Sequence, residues 1–190
     1  LNADSLIAAS ADEAKIKSGS PFDVVSLDAE RNRLSNLFRN HGYYYYQPSY
    51  ASYRADTVNT PGKVKLDVEL ADNLPEKALK KWYIGNISIN LRRTFMEELK
   101  DSIHYYFFRA YFNGKKPPVR PRVIMSDMKL RHGQPYDYSK HTESNNRIAS
   151  KGMFSSVDFQ FTPRDTTAAC DTLDLLLNCV FDKPYDFYVE

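Results

Sequence analysis

Glu30-Arg-Asn-Arg-Leu-Ser-Asn-Leu-Phe-Arg-Asn-His-Gly42-Tyr-Tyr-Tyr-Tyr46 is the stretch whose reading decides the fold, because the chain repeats its pattern. The second copy is Thr142-Glu-Ser-Asn-Asn-Arg-Ile-Ala-Ser-Lys-Gly152-Met-Phe154. Each reads as a polar helix ending at a glycine, where a left-handed C-cap belongs, followed by an aromatic strand. After a turn-rich gap comes a strand built on one phrase: Lys65-Leu-Asp-Val-Glu-Leu70 in the first copy, Leu173-Asp-Leu-Leu-Leu177 in the second. A duplicated supersecondary unit predicts two small domains built alike. We place them at residues 1–79 and 80–190.

Working outward, Asp4 to Lys17 predicts a helix with Ile7, Ala8, Ala11, Ala14 and Ile16 on one face, stopped by Gly19-Ser20-Pro21. Ser26 or Asp28 can cap the next helix, whose stripe is Leu27, Leu34, Leu37 and Phe38. Tyr43 to Tyr53 is a strand candidate interrupted at Pro48, which cannot donate to a ladder and so suits an edge or a bulge. Val64, Leu66, Val68 and Leu70 alternate strictly, the strongest strand signal in the chain. Past a linker at Asp72 to Lys80, Trp82 to Leu91 alternates through Ile84, Ile87 and Ile89 and reads as the opening strand of the second unit.

An insertion at 92–120 carries one strand within Ile103 to Phe112 and ends in a proline-extended loop. Arg122 to Leu130 predicts a short helix, and Ser139 to Ser150 the repeated polar one. Met153 to Phe161 and Thr172 to Phe181 predict a hairpin, and Tyr185 to Val189 reads as the first strand of whatever follows. The class is therefore α+β, with two helices on one face of a small mixed sheet in each unit. The opening strand expected for the first unit would precede Leu1.

Bulk properties narrow the function. The 190 residues are 42% hydrophobic and 26% charged, ordinary for a folded domain. A net charge of +2 gives no global basic field of the kind nucleic-acid binders carry. No apolar run approaches the roughly 20 residues that span a bilayer. Leu1-Asn-Ala-Asp lacks the basic flank and apolar core of a signal peptide, which reads as a mature form or an excised fragment.

Cys170 and Cys179 flank a strand that would hold them about 30 Å apart, too far for a disulfide, so two free buried thiols are expected. His41, His104, His132 and His141 show no ligand spacing, and no nucleophile elbow, phosphate loop or dinucleotide fingerprint occurs. Asp67 and Asp174 hold matching strand positions in separate units, which does not make a shared acid/base pair. We assign no catalytic residue, no metal and no cofactor.

The order of elements, with Glu-Arg-x-Arg-Leu…Gly-Tyr-Tyr, Gly133-Gln-Pro-Tyr136 and Asn-Arg-Ile-Ala-x-x-Gly-Met-Phe-x-x-Val, resembles polypeptide-transport-associated (POTRA) domains. These β-α-α-β-β modules belong to the outer-membrane β-barrel assembly (BamA/TamA) superfamily. The resemblance covers about residues 3 to 190, and the tyrosine-rich style is similar to versions from Bacteroides-like bacteria. It departs from the family in the 92–120 insertion, in the missing opening strand and in the lack of a following barrel.

The resemblance implies a periplasmic arm tethered to the outer membrane by a β-barrel. Its partners would be unfolded barrel precursors and accessory lipoproteins. An exposed sheet edge would take in a client strand by β-augmentation. The family's usual edge, the strand after the second helix, falls on Tyr43, Tyr44, Tyr45 and Tyr46 in the first unit and on Ser155, Val157, Phe159 and Phe161 in the second.

Two rival uses of the aromatic residues stand beside this reading. Tyr43 to Tyr46 would be a planar row facing solvent if the chain were a carbohydrate-binding module, and packed strand residues otherwise. Tyr105, Phe107 and Tyr111 would form a partner patch on the insertion, or else core. The basic cluster Lys115-Lys116…Arg120…Arg122 reads as a solvated loop or as a contact for acidic head groups or an acidic partner.

Overall fold

A computed structural model describes residues 3–59 and 61–183. The chain divides into two compact units, Leu1–Lys81 and Trp82–Glu190. The strand expected at Tyr185 to Val189 lies outside the described residues.

The first unit opens with helix α1 (Ala3–Ala9), a 3-10 turn at Ala11–Glu13, and helix α2 (Val24–Arg39). The first helix is shorter than its apolar pattern suggested. The second starts earlier than expected because Asp23 is its cap: the Asp23 carboxylate accepts from the amides of Val25 and Ser26 at 3.1 and 3.2 Å. These bonds, Val25 first, hold the Asp23 carboxyl below its usual range. Gly42, at φ 103°, closes the helix in the left-handed region.

Strands β1 (Ala51–Asp56) and β2 (Lys65–Leu70) pair antiparallel as a two-stranded sheet. Helix α3 (Glu76–Leu79) ends the unit. Leu6, Leu34, Phe38, Tyr46 and Ala51 form its core. Beside that core, the loop after α1 is tied to α2. Glu30 accepts from the Lys15 amide at 2.7 Å and from Arg33 Nη2 at 2.6 Å, while Arg33 Nη1 donates to Ser10 Oγ at 3.0 Å. Burial works to raise the Glu30 carboxyl, but the Arg33 and Lys15 bonds outweigh it and hold the group below its usual range.

The second unit opens with β3 (Tyr83–Arg92), followed by the hairpin β4 (Asp101–His104) and β5 (Arg109–Phe112). Helices α4 (Pro121–Met125) and α5 (Tyr138–Ala149) lead to β6 (Phe154–Pro163) and β7 (Thr172–Phe181). The sheet order is β4-β5-β3-β7-β6, so the insertion adds two strands beyond β3 where the sequence pattern suggested one. β3 runs parallel to both β5 and β7, and β6 antiparallel to β7. Helices with a mixed sheet in the second unit and with an antiparallel pair in the first bear out the α+β class, whereas the mixed sheet expected of the first unit is not there among the described residues.

Ile84, Ile89, Leu91, Leu173, Leu175 and Leu177 are at most 1% exposed. Each such side chain contributes about 1.5–3 kcal/mol by leaving water. The Gly133 to Tyr136 step zips onto the start of β3: the Ile84 amide donates to Gln134 O, Gly133 to Ile84 O and Tyr136 to Trp82 O, at 2.7–2.8 Å. Cys170 and Cys179 are both free and buried, as expected, and burial pushes the Cys179 thiol up to about 12.

Candidate functional site

The site begins with a strand that has one neighbour. β6 forms one border of the five-stranded sheet, pairing with β7 from Phe154↔Phe181 to Pro163↔Leu173. At ten residues it is long for an edge strand, and its outer backbone groups face no other strand among the described residues. A register shift between Phe154 and Ser156 twists its beginning. There Ser155 Oγ donates to Val180 O at 3.3 Å. Pro163 closes the other end, since a proline has no N–H to pair.

Alternation splits the side chains of β6 between two faces. Val157, Phe159 and Phe161 are half-buried, whereas Asp158, Gln160 and Thr162 are exposed. His141 of α5 lies 4.9 Å from the Phe159 ring and 5.0 Å from Phe161, and Tyr136 lies 5.3 Å from Phe161. The four proposed β6 residues thus share one edge, but the rings of Phe159 and Phe161 face α5. What β6 offers outward is backbone, with half-buried rings beside it. Asp158 and Gln160, bonded to each other at 2.8 Å, mark the polar face, which the expectation had not named.

The strand assignment for Tyr43, Tyr44, Tyr45 and Tyr46 is overturned. They form a turn between α2 and a 3-10 turn at Pro48–Tyr50, and the first unit's sheet is the β1–β2 pair, in which each strand is an edge among the described residues. The cause is packing. Gly42 turns the chain back, the Tyr46 amide donates to Tyr43 O at 3.1 Å, and the Tyr46 ring lands 4.6 Å from Phe38. Tyr46 is 4% exposed, and burial pushes its hydroxyl up to about 12. Tyr43 meets Phe38 edge-on at 5.5 Å, and Tyr44 meets Tyr45 at 4.8 Å. A cluster of mutually tilted rings is no planar platform for a sugar, so the solvent-facing row is overturned as well. β propensity yields here to local core packing.

In the insertion, Tyr105 stacks on Phe108 at 4.4 Å with the Arg122 guanidinium 5.4 Å from its ring. Tyr111 is half-buried on β5, while Phe107 stands at the hairpin tip, 67% exposed beside Tyr106 at 90%. The structure brings Phe107 together with Tyr106, which the expectation missed, and with Tyr111 along one open depression, while Tyr105 stacks on Phe108 instead. Alternation could not find Tyr106, because it lies in the turn.

Behind the β6–β7 pair sits a further group the sequence did not expose. β3 bulges between Ile84 and Ile87, and Asp174 fills the bulge. Its carboxylate accepts from the Asn86 amide at 2.6 Å and from Arg164 Nη2 at 2.7 Å. Burial works to raise the Asp174 carboxyl, but the Arg164 and Asn86 bonds hold it below its usual range. A Cβ on Gly85 would collide with the Asp174 carboxylate and the Arg164 guanidinium, so a side chain there would have to displace that pair. His132 Nδ1 donates to Gly85 O at 2.7 Å. This carboxylate locks a bulge.

No protein-family profile and no curated protein matches the chain. Solved structures do. BamA from Haemophilus ducreyi lacking POTRA domains 1–3 superposes with a TM-score of 0.57 at 11% identity, covering 88% of this chain and 25% of that one. The fold is that of POTRA domains. The chain also matches POTRA1–3 of the periplasmic domain of Omp85 from Anabaena (TM-score 0.42, 17% identity, 92% of this chain and 58% of that one). A further match is the N-terminal domain of Omp85 from Thermosynechococcus elongatus (TM-score 0.44, 15% identity, 96% and 60%). The chain thus spans a quarter of the BamA chain and about three fifths of each Omp85 fragment.

Proposed function

We propose that this chain is a non-enzymatic docking arm of an outer-membrane assembly or translocation barrel, and that β6 receives extended client segments by β-augmentation. It would work in the periplasm, tethered through a barrel carried by the parent protein, with unfolded barrel precursors and accessory lipoproteins as partners. One observation carries the reading: in a POTRA fold, the ten-residue strand β6 borders its sheet with one unpaired edge.

Backbone pairing along that edge supplies affinity with little sequence information, while the shallow relief beside Val157, Phe159 and Phe161 favours apolar residues at alternate positions. That chemistry suits a receiver of many different strands. The test is a ten-residue peptide of alternating apolar and polar residues titrated into the chain by calorimetry. A scrambled peptide that keeps the alternation binds equally, and one N-methylated along its pairing edge does not bind. Equal binding by the N-methylated peptide would place recognition in side chains and defeat augmentation.

A further inference from the structure

The 92–120 insertion builds a second surface, at the border of the sheet opposite β6. Strand register sets its chemistry. His104 of β4 pairs with Arg109 of β5, and Arg109 with Ser88 of β3, so the three stand in one row across the sheet. Ala110 and Phe112 of β5 are buried, like Ile89 and Leu91 of β3. Alternation therefore turns Arg109 and Tyr111 to the other face.

The hairpin tip stands beside that row. Tyr106 and Phe107 meet edge-on at 4.5 Å and are 90% and 67% exposed. With the row and Tyr111 they line an open depression of about 520 Å³.

The lining carries cationic groups and no carboxylate. Arg109 Nε donates to His104 Nδ1 at 3.4 Å. Among the described residues no carboxylate pairs with Arg109, and its two terminal nitrogens have no other partner. With Nδ1 accepting, His104 presents its Nε2–H as a donor. His132, held by its Nδ1 bond to Gly85 O, stands at the same depression.

A guanidinium with both terminal nitrogens open takes a carboxylate by two parallel hydrogen bonds. Tyrosine, phenylalanine and arginine together are the residues that protein contacts concentrate at their centres. A contact with acidic lipid draws instead on clusters of about four to eight lysines and arginines, and Arg109 is the one such residue in this lining.

We propose that this depression docks an acidic segment of a partner protein, with a carboxylate on the Arg109 guanidinium and a neighbouring apolar side chain against Tyr106 and Phe107. The contact uses neither β6 nor the outer-membrane setting, so it stands or falls apart from the client-receiving role.

Backbone NMR of the 190-residue chain titrated with the capped hexapeptide Pro-Glu-Glu-Phe-Glu-Pro tests it. The prolines disfavour strand addition at β6. Saturable shifts should concentrate on Ser88 and on His104 to Tyr111, with Ser155 to Thr162 still. Arg109→Gln, or glutamine in place of each glutamate of the peptide, should weaken binding about tenfold or more, as for a lost hydrogen bond between charged groups. Phe107→Ser should weaken it several-fold. Both substituted side chains are exposed, so the unit stays folded, which unchanged amide signals of β7 verify.

Equal binding by the glutamine peptide, or full affinity in the Arg109→Gln chain, would overturn the proposal. So would shifts on Ser155 to Thr162 in place of the hairpin, or no shift at millimolar peptide. Phosphatidylglycerol vesicles that broaden Tyr106 and Phe107 where the peptide leaves them unmoved would assign the tip to a lipid surface and overturn it too.

Discussion

β2 and β7 carry the same phrase, Leu-Asp followed by apolar residues at alternate positions, yet their environments are opposite. β7 alternates half-buried and buried residues from Thr172 to Cys179, with Leu173, Leu175, Leu177 and Cys179 at most 1% exposed. β2 has no fully buried residue. The difference lies in the neighbour, for β3 covers β7 and nothing covers the matching side of β2 among the described residues. A periodic pattern declares a strand; whether its apolar face is buried depends on pairing far away in sequence. The aspartates diverge for the same reason. Asp174 is drawn into the bulge that β3 makes, whereas Asp67 forms an exposed pair with Lys65 at 3.2 Å.

This contrast can be broken by substitution. Leu175→Ala should cost about 2–5 kcal/mol, because it opens a cavity between β3 and the helices' side of the sheet. Chemical denaturation followed through amide signals of the second unit reads it. A loss below about 1 kcal/mol would mean that the β3–β7 core is looser than its burial implies.

Glu30→Gln should cost the first unit about 1.5–3 kcal/mol at neutral pH, since it leaves Arg33 without its charged partner, both side chains being at most 12% exposed. The sign of the pH dependence follows from the lowered carboxyl. The stabilisation is full above the unfolded value, about 4.3, and is lost as pH falls through the lower folded value. Melting temperatures of wild type and variant should therefore converge on acidification. A gap that stays constant down to acid pH would assign the effect to packing instead.

Gly85→Ala should cost the second unit about 1–3 kcal/mol, as the new methyl pushes Asp174 out of the bulge. The sharper sign is local: amide exchange at Asn86 should speed up before the rest of β3 responds. Val68→Ala should change stability by less than about 0.5 kcal/mol, as expected for a half-exposed site away from any special feature. The same change costing several times more would show that β2 is covered in solution.

Much of this was legible in the residues. The repeated helix-to-glycine phrase, the hairpin of Met153 to Phe161 with Thr172 to Phe181, and the opening strand near Trp82 to Leu91 follow from period and punctuation, which are local. The Gly133-Gln-Pro-Tyr136 step was visible as a motif, but its work, zipping onto β3, needed the fold. Misreadings came where packing overrode propensity. Tyr43 to Tyr46 are good strand formers individually, yet Phe38 offers the Tyr46 ring a buried seat and Gly42 supplies the turn that delivers it. On β6 the strand could be read but the direction of its value could not. Alternation gave Val157, Phe159 and Phe161, whereas the edge is a property of the strand order β4-β5-β3-β7-β6. Phe107 was singled out, but its neighbour Tyr106 escaped because a hairpin tip has no periodicity to read.

The most direct test of the client-receiving role is backbone NMR of the chain titrated with a peptide from the C-terminal strand of an outer-membrane barrel protein. The account predicts that amide shifts and slowed exchange concentrate on Ser155 to Thr162, with β7 largely undisturbed. Shifts confined to Tyr105–Tyr111 at the hairpin, with β6 silent, would contradict it.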